Sequence, residues 1–271
     1  MEILEYRFLQ HALMAAVLSG VTCGLIGSWV VSRRTVFISG GITHASFGGI
    51  GMATYLGWNP IVGAALVALL SAVGIEWAAE RMKVREDSAI GIVWSVGMAL
   101  GIVFISITPG YAPNLTAILF GNILTVTSGD LVAGGALAAA VVTLFAGWTR
   151  PLMYVAFDRD WARTQGVPVR MVGYGMAALA AMTVVLSIRA VGIVLLISLL
   201  TFPAVIVNSL TKSFPRIALW SAVVAVGANL AGLAASWRWN IPTGAATIFA
   251  LVIMLIVVKF VSSQIKRKRA R

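Results

Sequence analysis

The side chain best placed to do chemistry in this 271-residue chain is His44, one of two histidines. It lies in Arg33–Gly57, RRTVFISGGITHASFGGIGMATYLG, just behind the pair Gly40-Gly41 and beside Thr43. Read as one span, Thr35–Leu56 covers roughly 33 Å at about 1.5 Å per residue, enough to cross a bilayer. His44 then falls about 13 Å in from the arginine end, near the midplane. The glycine pair would let the backbone unwind there, and broken helices at that depth line sites or pathways. Ala45, Gly48, Gly49 and Ala53 follow on the next turns, so another helix can approach closely. An imidazole in hydrocarbon is costly. It is either a neutral group hydrogen-bonded to a neighbouring helix, or a soft-cation ligand or proton relay, and residue chemistry leaves the two open.

The other titratable groups narrow the options. Glu76 and Glu80 sit one turn apart at the end of an apolar stretch, within reach of Arg81 and Lys83. They read as ion-paired interface residues or, less simply, as a cation exit. No carboxylate falls near the midplane of any span, which weakens a proton-coupled carrier. The single cysteine, Cys23, lies in an apolar helix, which excludes disulfides and Cys-rich metal sites. There is no G-x-x-x-x-G-K-[ST] loop for a nucleotide, and no H-E-x-x-H, G-x-S-x-G or paired intramembrane aspartates for hydrolysis. A transport path driven by a partner is the simplest account.

The elements that must carry these residues are membrane helices. Hydrophobic residues make up 60% of the chain and charged residues 11%, with a mean hydropathy of +0.96. Soluble domains carry about 25% charged residues, so this is an all-α, polytopic membrane protein with a single transmembrane domain over 1–271. No cleavable signal is evident. Apolar runs predict about nine spans: Phe8–Val31, Thr35–Leu56, Ile61–Ala79, Ala89–Thr108, Leu131–Trp148, Met171–Ile188, Val191–Leu210, Ile217–Ala235 and Thr243–Phe260. Eight remain if the first is not a true span. Leu115–Val126 is too short to cross and reads as interfacial or re-entrant. Pro203 should kink the seventh span, with Asn208 one to two turns beyond. WRWNIPTG, Trp237–Gly244, has the tryptophans of an interfacial belt.

Nine crossings put the termini on opposite sides. Every Lys and Arg except Arg7, Arg189 and Arg238 then falls on the side of the C-terminus, which assigns that side to the cytoplasm and the N-terminus to the outside. Glu2, Glu5 and Asp130 lie outside or at the outer surface. The basic tail, about 261–271, is a topology anchor attracted to anionic lipid; the net charge of +11 does not signify nucleic acid. Two inside loops stand out. In the first, Glu86, Asp87 and Ser88 suit a helix N-terminus. The second, about 150–170, is RPLMYVAFDRDWARTQGVPVR; its middle, Asp158–Thr164, reads as a short amphipathic helix ended by Gly166 and Pro168. It is a surface connector or a docking element for a cytoplasmic partner.

Taken together, RRTVFISGGITHASFGGIG, EDSAIGIVWSVGMALG, LFGNILTVTSGDL, FDRDWARTQGVPVR, AVGIVLLISLLTFPAVIV and SWRWNIPTGAATI resemble, in order and spacing over nearly the whole length, the permease subunits of the bacterial zinc/manganese/iron ABC importers, the ABC-3 family. The resemblance implies a vitamin B12-importer-like (type II ABC importer) permease fold working as a homodimer. It implies two ATP-binding subunits inside and an extracytoplasmic metal-binding protein outside. It places His44 on the path of a transported divalent ion (Zn, Mn or Fe) at or near the dimer axis, with Gly40, Gly41, Thr43, Gly48, Pro203 and Asn208 along the path, and no permanently bound cofactor. It makes the Phe157–Pro168 loop the ATPase-coupling element, with Phe157, Asp158, Trp161, Ala162, Arg163 and Gly166 as its contacts and Glu86 and Asp87 in the neighbouring loop. ATP hydrolysis is then expected in a separate subunit.

One departure matters. Where that family has Asp four residues before the histidine, this chain has Gly40, and Thr43 stands for its Ser. A hard carboxylate ligand is missing, and imidazole without oxygen charge suits Zn²⁺, then Fe²⁺, then Mn²⁺. A cobalamin- or haem-like chelate stays open as cargo. The alternatives are a stand-alone secondary carrier or channel for a cation or small solute, and a non-transporting scaffold.

Overall fold

The computed structural model describes residues 6–82, 84–109 and 121–269, with side chains to 264. Glu2, Glu5, Lys83, the first half of Leu115–Val126 and the last two residues of the basic tail lie outside the described residues. The chain is almost entirely helical: α1 (Arg7–Ser32), α2 (Phe37–Tyr55), α3 (Pro60–Arg81), α4 (Glu86–Ile107), a 3-10 turn (Ile123–Thr125), α5 (Ser128–Phe157), α6 (Arg159–Thr164), α7 (Val169–Asn208), α8 (Phe214–Trp239) and α9 (Thr243–Arg269). Helices are what such a sequence must form in lipid, because each satisfies its own backbone hydrogen bonds.

Local chemistry sets the ends. Asn59 caps α3 by accepting the Ile61 N–H at 2.9 Å, with Pro60 at the first helical position. Glu86 and Asp87 occupy the first turn of α4, as expected for a helix N-terminus. α5 opens on a reciprocal capping box in which Asp130 Oδ2 accepts the Thr127 N–H and Thr127 Oγ1 accepts the Asp130 N–H. Asn240, at φ 53°, closes α8 in the left-handed conformation that Asn tolerates.

Seven helices among the described residues are long and apolar enough to cross a membrane, against the nine spans read from the sequence. Two causes account for the difference. The glycines, hydroxyls and His44 of α2 hold down its hydropathy, so it is not one of the seven. The predicted sixth and seventh spans are merged in α7, whose 40 residues contain one non-helical position, Gly192, at φ 78° and ψ 165°. Space for a Cβ on Gly173 is closed by Glu76, near the end of the bundle where Arg33, Arg159 and Glu86 gather. Arg189 pairs with Asp130 at the opposite end. Beyond Gly192, Leu200 packs on Gly27, part of the way back along α1. The chain therefore doubles back at Gly192, and the dihedral break lies there rather than at Pro203.

Two further expectations are corrected. α2 runs unbroken through Gly40-Gly41, so the pair does not unwind the helix. α5 continues past the predicted end of its span, with a kink at Trp148 ahead of Pro151, and reaches Phe157. The stretch 150–170 is thus helix for most of its length.

α2 is the most enclosed segment relative to its length, flanked by α4 and α3 and touched by α7. Glycine makes this possible. A Cβ on Gly48 would stand 2.6 Å from the Gly97 carbonyl oxygen, one on Gly49 2.2 Å from that of Gly63, and one on Gly51 2.7 Å from that of Gly101. Backbones meet directly along these seams. α1 rests on α8 in the same manner, with Gly20 on Val226 and Gly24 on Ala222.

Candidate functional site

Two clusters carry the polar chemistry, one in the bundle and one at its basic end. In the bundle, His44 is half-buried on α2 and faces α4. Its ring stacks on Trp94 with centroids 4.3 Å apart and planes at 16°. Its Nδ1 lies 3.2 Å from the sulfur of Met98. Trp94 and Met98 are one turn apart on α4, so both reach the same face. Gly40, one turn before His44, is where the indole fits, since a Cβ there would lie 2.8 Å from Trp94 Cζ3. Gly41 likewise receives Ile90. Gly48 sits on Gly97 in the α2–α4 seam, and the Thr43 hydroxyl is fully buried and donates to its own helix at the Ser39 carbonyl.

Pro203 is buried in the returning limb of α7. Asn208 ends that helix, where Lys212 Nζ donates to its carbonyl at 3.2 Å. It belongs to the basic end rather than to the His44 cluster. Among the described residues, no group of three His, Cys, Asp or Glu side chains could hold a metal ion. One chain offers imidazole, thioether and an aromatic face.

At the basic end the short helix α6 stands on Asp158, whose Oδ1 accepts the N–H groups of Asp160 at 3.0 Å and Trp161 at 2.9 Å. It ends on Gly166, at φ 73°, with the Gly166 N–H on the Arg163 carbonyl and the Val167 N–H on that of Ala162. Ala162 is fully buried and seats the helix. Phe157 and Trp161 remain 62% and 46% exposed although they touch Phe214 and Tyr154 edge-on. Arg163 pairs with Asp160 at 2.8 Å. This is a rigid, aromatic and charged surface with unspent apolar area.

α6 is also tied into the bundle by a residue that the sequence reading passed over. Arg159 reaches back to Glu76 of α3, which pairs in turn with Arg33 Nη1 at 2.9 Å. Arg33 also binds Glu86 and lies over the Trp29 ring, 5.1 Å from its centroid. The side chains of Glu76 and Arg33 are only 4% and 6% exposed. Glu76 and Glu80 are both ion-paired, across the bundle: Glu80 of α3 holds Arg170 of α7 at 2.5 Å and accepts from Tyr174 at 3.3 Å. Glu86 thus belongs to the buried network, whereas Asp87 pairs with Arg85 at 2.7 Å near the surface. The sequence signal for Arg159 was its place in FDRDW, between two aspartates on a helix too short to use it. For Trp94 and Met98 it was their helical spacing in VWSVGM.

Comparison with known proteins bears on the chain as a whole. The model of the ABC 3 transport family matches residues 5–262. An uncharacterized membrane protein of Synechocystis is 35% identical over 94% of this chain and 90% of its own. The manganese transport system membrane protein MntC of Halalkalibacterium halodurans is 33% identical over 92% and 88%. Among solved structures, PsaBC from Streptococcus pneumoniae in complex with Fab superposes with a TM-score of 0.82 at 27% identity, covering 94% of this chain and 92% of that one.

Proposed function

This chain belongs to the ABC 3 transport family, and on that premise we propose that it is the permease subunit of an ATP-driven importer of a divalent transition metal ion. Two copies form the path, two separate ATP-binding subunits drive it, and an extracytoplasmic metal-binding protein supplies it. The observation that carries the reading is α6: a capped helix that presents Phe157 and Trp161 to a partner while Arg159 fastens it to α3. Force applied there reaches Glu76, Arg33 and α4 through ion pairs rather than through a flexible loop. Nine crossings follow when α7 counts as two limbs and α2 as a span, which puts the basic end in the cytoplasm of a bacterial inner-membrane protein with its N-terminus outside. His44 then lies on the path.

The test is uptake of radioactive zinc, manganese and iron in cells lacking their own metal importers, with this chain co-expressed with its ATPase and binding protein. Wild type is expected to import metal. His44→Ala should lose uptake while still co-purifying with the ATPase, and Asp158→Ala/Arg163→Ala should lose the ATPase itself. Metal movement by the purified chain alone in proteoliposomes would overturn the reading.

A further inference from the structure

We propose that His44 and Met98 are joint ligands that make this path selective for a soft-to-borderline ion, Zn²⁺ above Mn²⁺, with Trp94 filling the space a carboxylate would need. The inference rests on the importer reading and adds the identity of the cargo. His44 Nδ1 and Met98 Sδ are 3.2 Å apart on neighbouring helices. Tetrahedral zinc holds an imidazole nitrogen at about 2.0 Å and a thiolate sulfur at about 2.3 Å, and a neutral thioether no closer, so its donors stand roughly 3.5 Å or more apart and this pair has to open by a few tenths of an ångström to chelate.

The donors are both neutral and comparatively soft, the kind that suits zinc, whereas manganese seeks carboxylate, carbonyl and water oxygens. Among the described residues no carboxylate is free to change that balance: Glu76 and Glu86 are held by Arg33 and Arg159, Glu80 by Arg170, Asp87 by Arg85, Asp130 by Arg189 and Asp160 by Arg163, while Asp158 caps α6. Nor can position 40 supply one, because any side chain there would strike the Trp94 ring that stacks on His44. One copy offers two donors, and the second copy of the proposed dimer would bring the matching pair, completing the four-coordination that zinc prefers.

The experiment pairs competitive uptake of Zn²⁺ and Mn²⁺ by the assembled transporter in proteoliposomes with zinc-edge X-ray absorption of the purified full-length protein carrying Zn²⁺. Wild type should favour Zn²⁺ and show a sulfur shell. Met98→Leu should lose that shell and at least about tenfold of the preference. Gly40→Asp/Trp94→Ala should move the preference towards Mn²⁺. If Met98→Leu does not assemble, selenomethionine-labelled wild type answers the same question through a selenium shell around zinc. Equal or stronger preference for Mn²⁺ in wild type, or a zinc shell without sulfur or selenium, overturns the ligand assignment while import by wild type upholds the importer reading. Import of neither ion removes both.

Discussion

Glu76 holds two guanidinium groups with one carboxylate while almost wholly shielded from water. Removing one member of such a set leaves the others desolvated and unpaired, which costs of order 3 kcal/mol. Glu76→Gln should therefore lower the thermal midpoint of the purified protein in detergent by several degrees. Glu80→Gln should scarcely move it, because Arg170 is largely exposed and an exposed pair contributes at most about 1 kcal/mol. Gly173→Ala serves as an independent probe, since its Cβ would stand 2.7 Å from Glu76 Oε1 and force the carboxylate off Arg159. A Glu76→Gln protein as stable as wild type would mean that the cluster is not a lock. The sequence announced that Glu76 needed a cation but pointed to its nearest neighbours, because partners 43 and 83 residues distant leave no local trace.

At the level of helices, glycine decides where the bundle is dense and where it turns. Gly49→Ala would drive a methyl group into the Gly63 carbonyl, and overpacking of this kind costs about 1–3 kcal/mol. Gly192→Ala should cost a comparable amount for a different reason, since φ 78° with ψ 165° is a region essentially reserved for glycine. Gly175→Ala, with nothing within 4 Å of its added carbon, is the neutral control. Thermal unfolding of the three proteins separates the cases. Most helices were legible in the sequence, because apolar runs of spanning length and capping residues are local signals. The unbroken course of α2 was not legible, since the same glycine pair serves a kink and a close packing seam equally well and only the neighbouring indole and Ile90 decide between them. His44 was legible by its isolation in apolar sequence. Its partner Met98, 54 residues later, was not, because methionine in a membrane helix reads as packing.

Over the whole molecule, chemistry divides between two ends and a middle. The orientation is tested by single cysteines placed in a Cys23→Ala background: an impermeant thiol reagent added outside intact cells should label Trp237→Cys and spare Arg163→Cys, and the reverse pattern would invert the topology. The division has a consequence for osmotic physiology. The seams around α2 are contacts of backbone against backbone, indifferent to dissolved salt. The surface pairs of the basic end, Arg163 with Asp160 and Arg170 with Glu80, sit where the Debye length at physiological ionic strength is about 8 Å. If the basic end faces the cytoplasm, as proposed, a bacterium that answers a drying medium by loading its interior with potassium would screen these surface pairs and leave the seams around α2 as they are.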